Sequence, residues 1–437
     1  AALTKSGSVT PYRYVCYVHE RFWFAPMLDA GLVLYLALLA LFIWRGISGW
    51  RLCGAWLEYA NYCALLYFVL LVLLVAAVVE FIQIAFEADP RTTWHGSPNW
   101  LKYMVLGSPG AACITIVICG LQTSQHVAEI RSSRATIKHD RAVQIIALPA
   151  VYGVMAMSSM ARIFCITSNV AFKGAEKSKH EQIEQLYISK SETCFWVGDL
   201  YEAWALYQFG KLTLDLIRSS IRRMSHSQVR EDRERADPLL VAHSAVEAIA
   251  WLGVTLFLLV CISQAGWSLY LLTFTGPIED YTEYNNQIAQ FGAAGVVASC
   301  GAIYNVHVVE STFHMYFEGY RPLLKFITVK VIVSFAFFQK GVYFSLKAFQ
   351  ETLPGTAQRI IGKVPLIGTI LGLSDNNFEL FYDALILYEC ILIALLHIWG
   401  WSAYEDWYLE EDEEEEGERK PLMPEKPALL PNSSETA

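Results

Sequence analysis

Charge is scarce along this chain, and its excess of one sign is confined to one end. Lys, Arg, Asp and Glu make up only 17% of the 437 residues. Residues 403–437 hold 12 acids against 3 bases while the rest holds 30 of each, so the whole formal charge of −9 sits in the tail. No basic face is left for a nucleic acid, and that class of partner is excluded. Organised cysteine is missing too, for the ten cysteines include no C-x-x-C pair and no Cys/His cluster of zinc spacing. Walker A, G-x-S-x-G and H-E-x-x-H motifs are absent. We therefore expect no catalytic residues, no metal, no other cofactor and no enzyme. Internal repeats and inverted halves are not visible either.

What abounds is apolar and aromatic: 54% of the residues are hydrophobic, with 23 Tyr, 23 Phe and 13 Trp. They gather in runs of about 20 residues, long enough to cross a bilayer. The pattern predicts an all-α polytopic membrane bundle of about nine helices, at 29–47, 62–88, 104–127, 142–163, 195–217, 246–275, 287–310, 325–348 and 380–403. The loop at 131–141 carries Arg131, Arg134, Lys138 and Arg141, and that at 218–240 carries Arg218, Arg222, Arg223, Arg230, Arg233 and Arg235. The intervening 276–286 has Glu279, Asp280 and Glu283 and no base. Basic loops stay in the cytosol, which puts the N-terminus outside or in a lumen and the C-terminus in the cytosol. Loop 164–194, with mixed charge, pulls weakly the other way. Segment 353–373 is apolar but punctuated by Pro354, Gly355, Pro365, Gly368 and Gly372, and reads as an interfacial or re-entrant piece. Cys165 and Cys194 flank one outer loop and would pair if that compartment is oxidising.

Ionisable groups inside these spans are costly and must face the interior. Asp199 and Glu202 lie three residues apart on one face of span 195–217, followed by Lys211 and Asp215 at pairing distance. The two acids need a cation from another helix. Span 287–310 ends on His307 and Glu310, span 325–348 opens on Lys325 and Lys330, and span 380–403 carries Asp383, Glu389 and His397. Two roles remain open for these groups: neutralising one another to fix helix register, or lining a path for a solute. A single His-x-x-Glu falls short of the carboxylate-bridged metal bundle, which needs acids and Glu-x-x-His pairs from four helices.

The run Gly198-Asp199-Leu200-Tyr201-Glu202-Ala203-Trp204-Ala205-Leu206-Tyr207-Gln208-Phe209 resembles the R-D-x-Y-E-A-x-x-I-Y-x-F signature of the organic solute transporter α-subunit family, which includes the transmembrane protein 184 branch. Arg321-Pro322-Leu323-Leu324-Lys325-Phe326, then Val329-Lys330 and Gln339, resembles its R-P-x-x-K-F-x-x-V-K…F-W-Q segment. Asp383, Glu389 and His397 keep the spacing of its last helix, and His126 and Arg141 match a His and an Arg around its first two helices. Gly198 stands where the family has Arg, Phe338 where it has Trp, and the Pro149–Tyr152 spacing is one residue long. The cysteine-rich stretch of the steroid-carrying members is absent.

The resemblance, over residues ~104–404, implies an N-terminal extension with two helices (1–100) and a seven-helix core (101–404), while the acidic run and prolines of 405–437 mark a disordered tail. The resemblance also implies an N-terminus outside, a C-terminus in the cytosol and a small single-span partner subunit. It puts solute-binding residues at Asp199, Tyr201, Glu202, Tyr207, Lys325, Lys330, Gln339, Glu389 and His397. One function expected is movement or binding of an amphipathic, anionic organic solute without ATP hydrolysis, in contact with membrane lipids. The alternative is a non-transporting subunit or scaffold of a larger membrane complex.

The tail carries two segments similar to the acidic dileucine sorting signal: Glu418 with Leu422-Met423, and Glu425 with Leu429-Leu430. An extended, acidic, Pro-rich stretch offers such side chains to clathrin-adaptor-type sorting proteins. Cycling between the plasma membrane and endosomal or lysosome-like (vacuolar) membranes is the expectation.

Overall fold

The structure, a computed structural model, describes residues 25–48, 59–94, 96–132, 136–173, 175–225, 230–274, 281–313, 320–352, 364 and 367–408. Among these there is no strand. The long helices are α1 (Ala25–Ser48), α2 (Tyr59–Glu87), α3 (Asn99–Ser132), α4 (Thr136–Ile146), α5 (Leu148–Thr167), α6 (His180–Ser225), α7 (Arg230–Phe274), α8 (Tyr281–Phe313), α9 (Pro322–Thr352) and α10 (Asp375–Gly400). With α4 and α5 counted as one rod, each apolar run read from the sequence falls on one of these rods to within three residues. Six rods are long and apolar enough by themselves to cross a membrane, namely α2, α3, α4–α5, α7, α8 and α10. The chain is thus an all-helical, polytopic membrane protein. The apolar stretch of α1 is shorter, Asp29–Leu41.

Breaks follow local chemistry. Pro149 has no N–H to offer Ile145, so the ladder is interrupted at Ala147, and the bonds Ala147 N–Val143 O (3.1 Å) and Val151 N–Ala147 O (3.0 Å) carry the chain across. Asn169, at φ 58°, turns the chain out of α5 in the left-handed region that Asn tolerates. Ser374 caps α10 through its hydroxyl to Asn377 N, with Asp375 in the first turn favouring the helix dipole.

Several boundaries differ from the hydropathy reading. The loop expected at 164–194 is helical from His180, and the Arg-rich loop at 218–240 is helical apart from residues 226–229, which lie outside the described residues. No proline occurs between Pro149 and Pro238. Polar, helix-favouring residues end the apolar run without ending the helix. At 46 residues, α6 is roughly 70 Å long, far more than a bilayer of about 30 Å needs. Of segment 353–373, Val364 and 367–373 are described, with a short helix at Ile367–Leu371, and its re-entrant reading otherwise falls outside the described residues. The sorting segments in 409–437 fall outside them as well. The start of the expected disordered tail, however, is packed: Trp407 and Tyr408 are buried and join the same apolar cluster that begins at Leu32 in α1.

At the centre stands α5. Every residue from Leu148 to Ile166 is buried, because α2, α3, α6 and α10 all pack around it. On the outside, α7 carries Leu252, Leu256 and Leu259 and α8 carries Val296 and Val297 exposed, a coat suited to hydrocarbon. α7 packs along α6, α8 along α7, and α9 leans on α10 and α6.

Candidate functional site

The acidic pair on α6 finds its cation on α9. Lys330 Nζ donates to Glu202 Oε1 at 2.8 Å and to Ser299 Oγ of α8 at 3.0 Å, and stands 4.6 Å from the centre of the Phe257 ring of α7. Glu202 is wholly buried and Lys330 nearly so. One turn away, Asp199 accepts from the Tyr152 hydroxyl of α5. Five helices, α5 to α9, therefore meet at this cluster. The register of α6 is held from its other face, where Tyr201 Oη donates to Gln144 O (2.7 Å) and Trp204 Nε1 to Gln144 Oε1 (2.9 Å). Gly198 packs against α5: a Cβ there would lie 3.3 Å from the Tyr152 ring, tighter than an ordinary contact.

An apolar groove lies on the same seam. Phe209 and Leu214 of α6, Ala250, Trp251 and Val254 of α7 and Val309 of α8 line a shallow apolar groove. Phe209 is seven residues beyond Glu202, hence on the same helical face about 10 Å along. Tyr207 stands next to it, stacked on Trp204 (centroids 5.2 Å apart) and tilted against Trp251 (4.8 Å).

The remaining expected residues fall in other clusters. Lys325 is fully buried and donates to Glu405 Oε2 at 2.7 Å and to Tyr320 O at 2.8 Å. The rings of Tyr320, Trp401 and Trp407 surround it at 4.9, 5.3 and 5.4 Å. Close by, the His397 ring meets Thr328 O through Nε2 (3.0 Å), and Gln122 donates to the carbonyls of His397 and Trp401. His126 reaches Trp401 O (3.0 Å) and His139 (3.0 Å), and His139 is stacked on Tyr408 at 4.1 Å. Burial holds the phenols of Tyr320 and Tyr408 well above their ordinary range, so both stay neutral. Gln339 donates to Glu389, and Asp383 accepts from Ser159 (2.8 Å), whose hydroxyl also meets Ser191 (2.5 Å).

Three expectations change. Asp215 is taken by Arg141 of α4 instead of by Lys211, because α4 packs against α6 and brings a guanidinium within reach. Cys165 and Cys194 are both free and buried, not disulfide-bonded; the Cys194 thiol instead lies 3.2 Å from the Arg162 guanidinium and 3.4 Å from Lys190 O. His307 is exposed on α8, and the side chain of Glu310 lies outside the described residues. Among the described residues no group of three or more His, Cys, Asp or Glu is arranged to hold a metal.

Sequence reasoning missed one cluster entirely. Arg162, near the end of α5, holds Asp29 of α1, as does Lys190 of α6. An arginine in the apolar run Leu148–Thr167 was the available signal, since such a charge demands a carboxylate partner.

Residues 182–406 match the family model of the organic solute transporter Ostalpha, just over half of the chain. The match takes in nearly all of α6, α7 to α10 and the Lys325–Glu405 pair, and leaves α1–α5, with His126 and Arg141, outside it. No curated protein and no solved structure matches the chain.

Proposed function

The chain belongs to the organic solute transporter Ostalpha family, and on that premise we propose that it carries an amphipathic organic anion along its gradient, without ATP hydrolysis. The observation that carries this is the seam itself: a buried Lys330–Glu202 pair and an open apolar groove share one face of α6 between α7 and α8. The apolar body of a solute would enter along the groove, which α7 and α8 must part to widen. Its anionic head competes with Glu202 for Lys330, and Asp199 next to them raises the repulsion that drives the head away again. In this reading the charge is exchanged between partners, and Lys330 is never left bare in hydrocarbon.

Orientation follows the basic loops, with the N-terminus outside and the tail in the cytosol. The tail segments at Glu418–Met423 and Glu425–Leu430 would engage adaptor-type sorting proteins and set traffic between the cell surface and endosomal membranes.

The test is uptake of a panel of carboxylate- and sulfate-headed organic anions into vesicles containing the purified protein. Glu202→Gln/Lys330→Gln keeps the site neutral and hydrogen-bonded, so it should insert and fold. We expect its uptake of the anions to fall about tenfold or more while leakage of neutral analogues is unchanged. Equal uptake by the variant and the unaltered chain across the whole panel would sink the proposal.

A further inference from the structure

Arg162 and Lys190 grip the two oxygens of a single carboxylate. Arg162 Nη2 donates to Asp29 Oδ1 at 2.7 Å and Lys190 Nζ to Asp29 Oδ2 at 2.8 Å. The clamp is built: the Arg162 side chain is 95% buried, and its Nη1 is tied to Lys190 O at 2.6 Å and to Cys194 Sγ at 3.2 Å. Lys190 therefore contributes both a cation and the carbonyl that aims the guanidinium. Glu80, buried on α2, is a further acid within electrostatic reach of Arg162, and Tyr187 and Cys194 are titratable neighbours.

The occupant differs in kind from the clamp. Asp29 sits near the start of α1, a helix outside the family match that packs along α2 and meets α6 only narrowly. Its side chain is 31% exposed, so the carboxylate is at the rim of the site and the two cations are beneath it. If Asp29 withdraws, the two cations lose the carboxylate that bridges them, and the site gains positive charge in a place shielded from water. The species that restores neutrality is another carboxylate, or a sulfonate of like geometry, whose two oxygens fit a guanidinium and an ammonium side by side.

We propose that Arg162 and Lys190 form an organic-carboxylate site at the end of the bundle where α1 starts, and that Asp29 of α1 occupies it as a built-in competitor. The site extends the anion-carrier reading to a second place, about 18 Å along α6 from Glu202. It rests on that reading only for the class of solute.

The experiment is binding of dodecanoate to the full-length protein in a non-ionic detergent, with dodecanol as the uncharged control. Asp29→Asn should bind dodecanoate about tenfold more tightly than the unaltered chain, as expected when a tethered competitor is removed. Dodecanol should bind both alike. Adding Lys190→Gln should abolish the gain, and Asp29→Ser replaces Asn should that variant fail to fold. Equal affinity of the Asp29 variants and the unaltered chain, or a gain that survives Lys190→Gln or extends to dodecanol, would overturn the proposal. Because this readout is binding, it stands or falls independently of uptake by Glu202→Gln/Lys330→Gln.

Discussion

Lys330 is tolerable inside the bundle only because Glu202 is there, and the reverse holds equally. Removing one member of a buried pair leaves a bare charge and costs about 3–5 kcal/mol, whereas replacing both by apolar residues of similar volume is close to neutral. We therefore expect Lys330→Met to lower the unfolding midpoint in detergent sharply, and Lys330→Met/Glu202→Met to recover most of the loss. A single variant as stable as the unaltered chain would mean that Glu202 is held by some other cation. The positions of these charges were legible in the sequence because an acid or lysine in an apolar run stands out. Their pairing was not, since Glu202 and Lys330 are far apart along the chain and only the packing of α9 on α6 joins them. For the same reason Lys211–Asp215, next to each other on one helix, was the natural pair to read, and Arg141 from α4 displaced it.

Between helices, fit decides more than polarity. Tyr152 of α5 lies flat over Gly198 of α6, and its hydroxyl reaches Asp199, so the glycine sets how closely two central helices approach. Gly198→Leu should cost about 1–3 kcal/mol by overpacking. Gly210, one face away with nothing within 4 Å of a built Cβ, is the control and should accept Leu at little cost. Equal midpoints for the two variants would remove the contact from the account. Motif comparison marks Gly198 as a departure from the family's Arg, yet the ring that would crowd a side chain there belongs to a helix 40-odd residues upstream.

The segment after α10 makes a second case. Composition placed the boundary of the tail at residue 405, because acids begin there. Glu405 is nonetheless the partner of Lys325, and Trp407 and Tyr408 close over it in the apolar cluster. Glu405→Gln keeps a hydrogen-bond acceptor but takes the counter-charge from buried Lys325, so it should destabilise the folded chain by up to about 3–5 kcal/mol. Thermal unfolding in detergent checks this, and an unchanged midpoint would show that the aromatic cage suffices for Lys325.

The number of crossings separates hydropathy from packing across the whole molecule. Counted by apolarity, six rods qualify, and an even number puts both termini on one side of the membrane. Counted by rods among the described residues, α1, α6 and α9 add three, and an odd number puts them on opposite sides. The rods left out differ in a physically telling way. α6 and α9 carry Asp199, Glu202, Lys330 and Lys340, which lower their mean hydropathy, yet these groups pair across helices: Glu202 with Lys330, and Lys340 with Glu379 of α10. Satisfied inside the bundle, such charges no longer count against crossing. α6 also packs against α5, which is buried on every side, and so it has to run alongside α5 at the same depth. We therefore expect nine crossings. An epitope fused ahead of Ala1 should be reachable by antibody in intact cells or sealed lumen-out vesicles, and one fused behind Ala437 only after the membrane is permeabilised. Both epitopes on the same side would return the count to an even number, and α1, whose apolar stretch is only Asp29–Leu41, would be the first rod to lose its crossing.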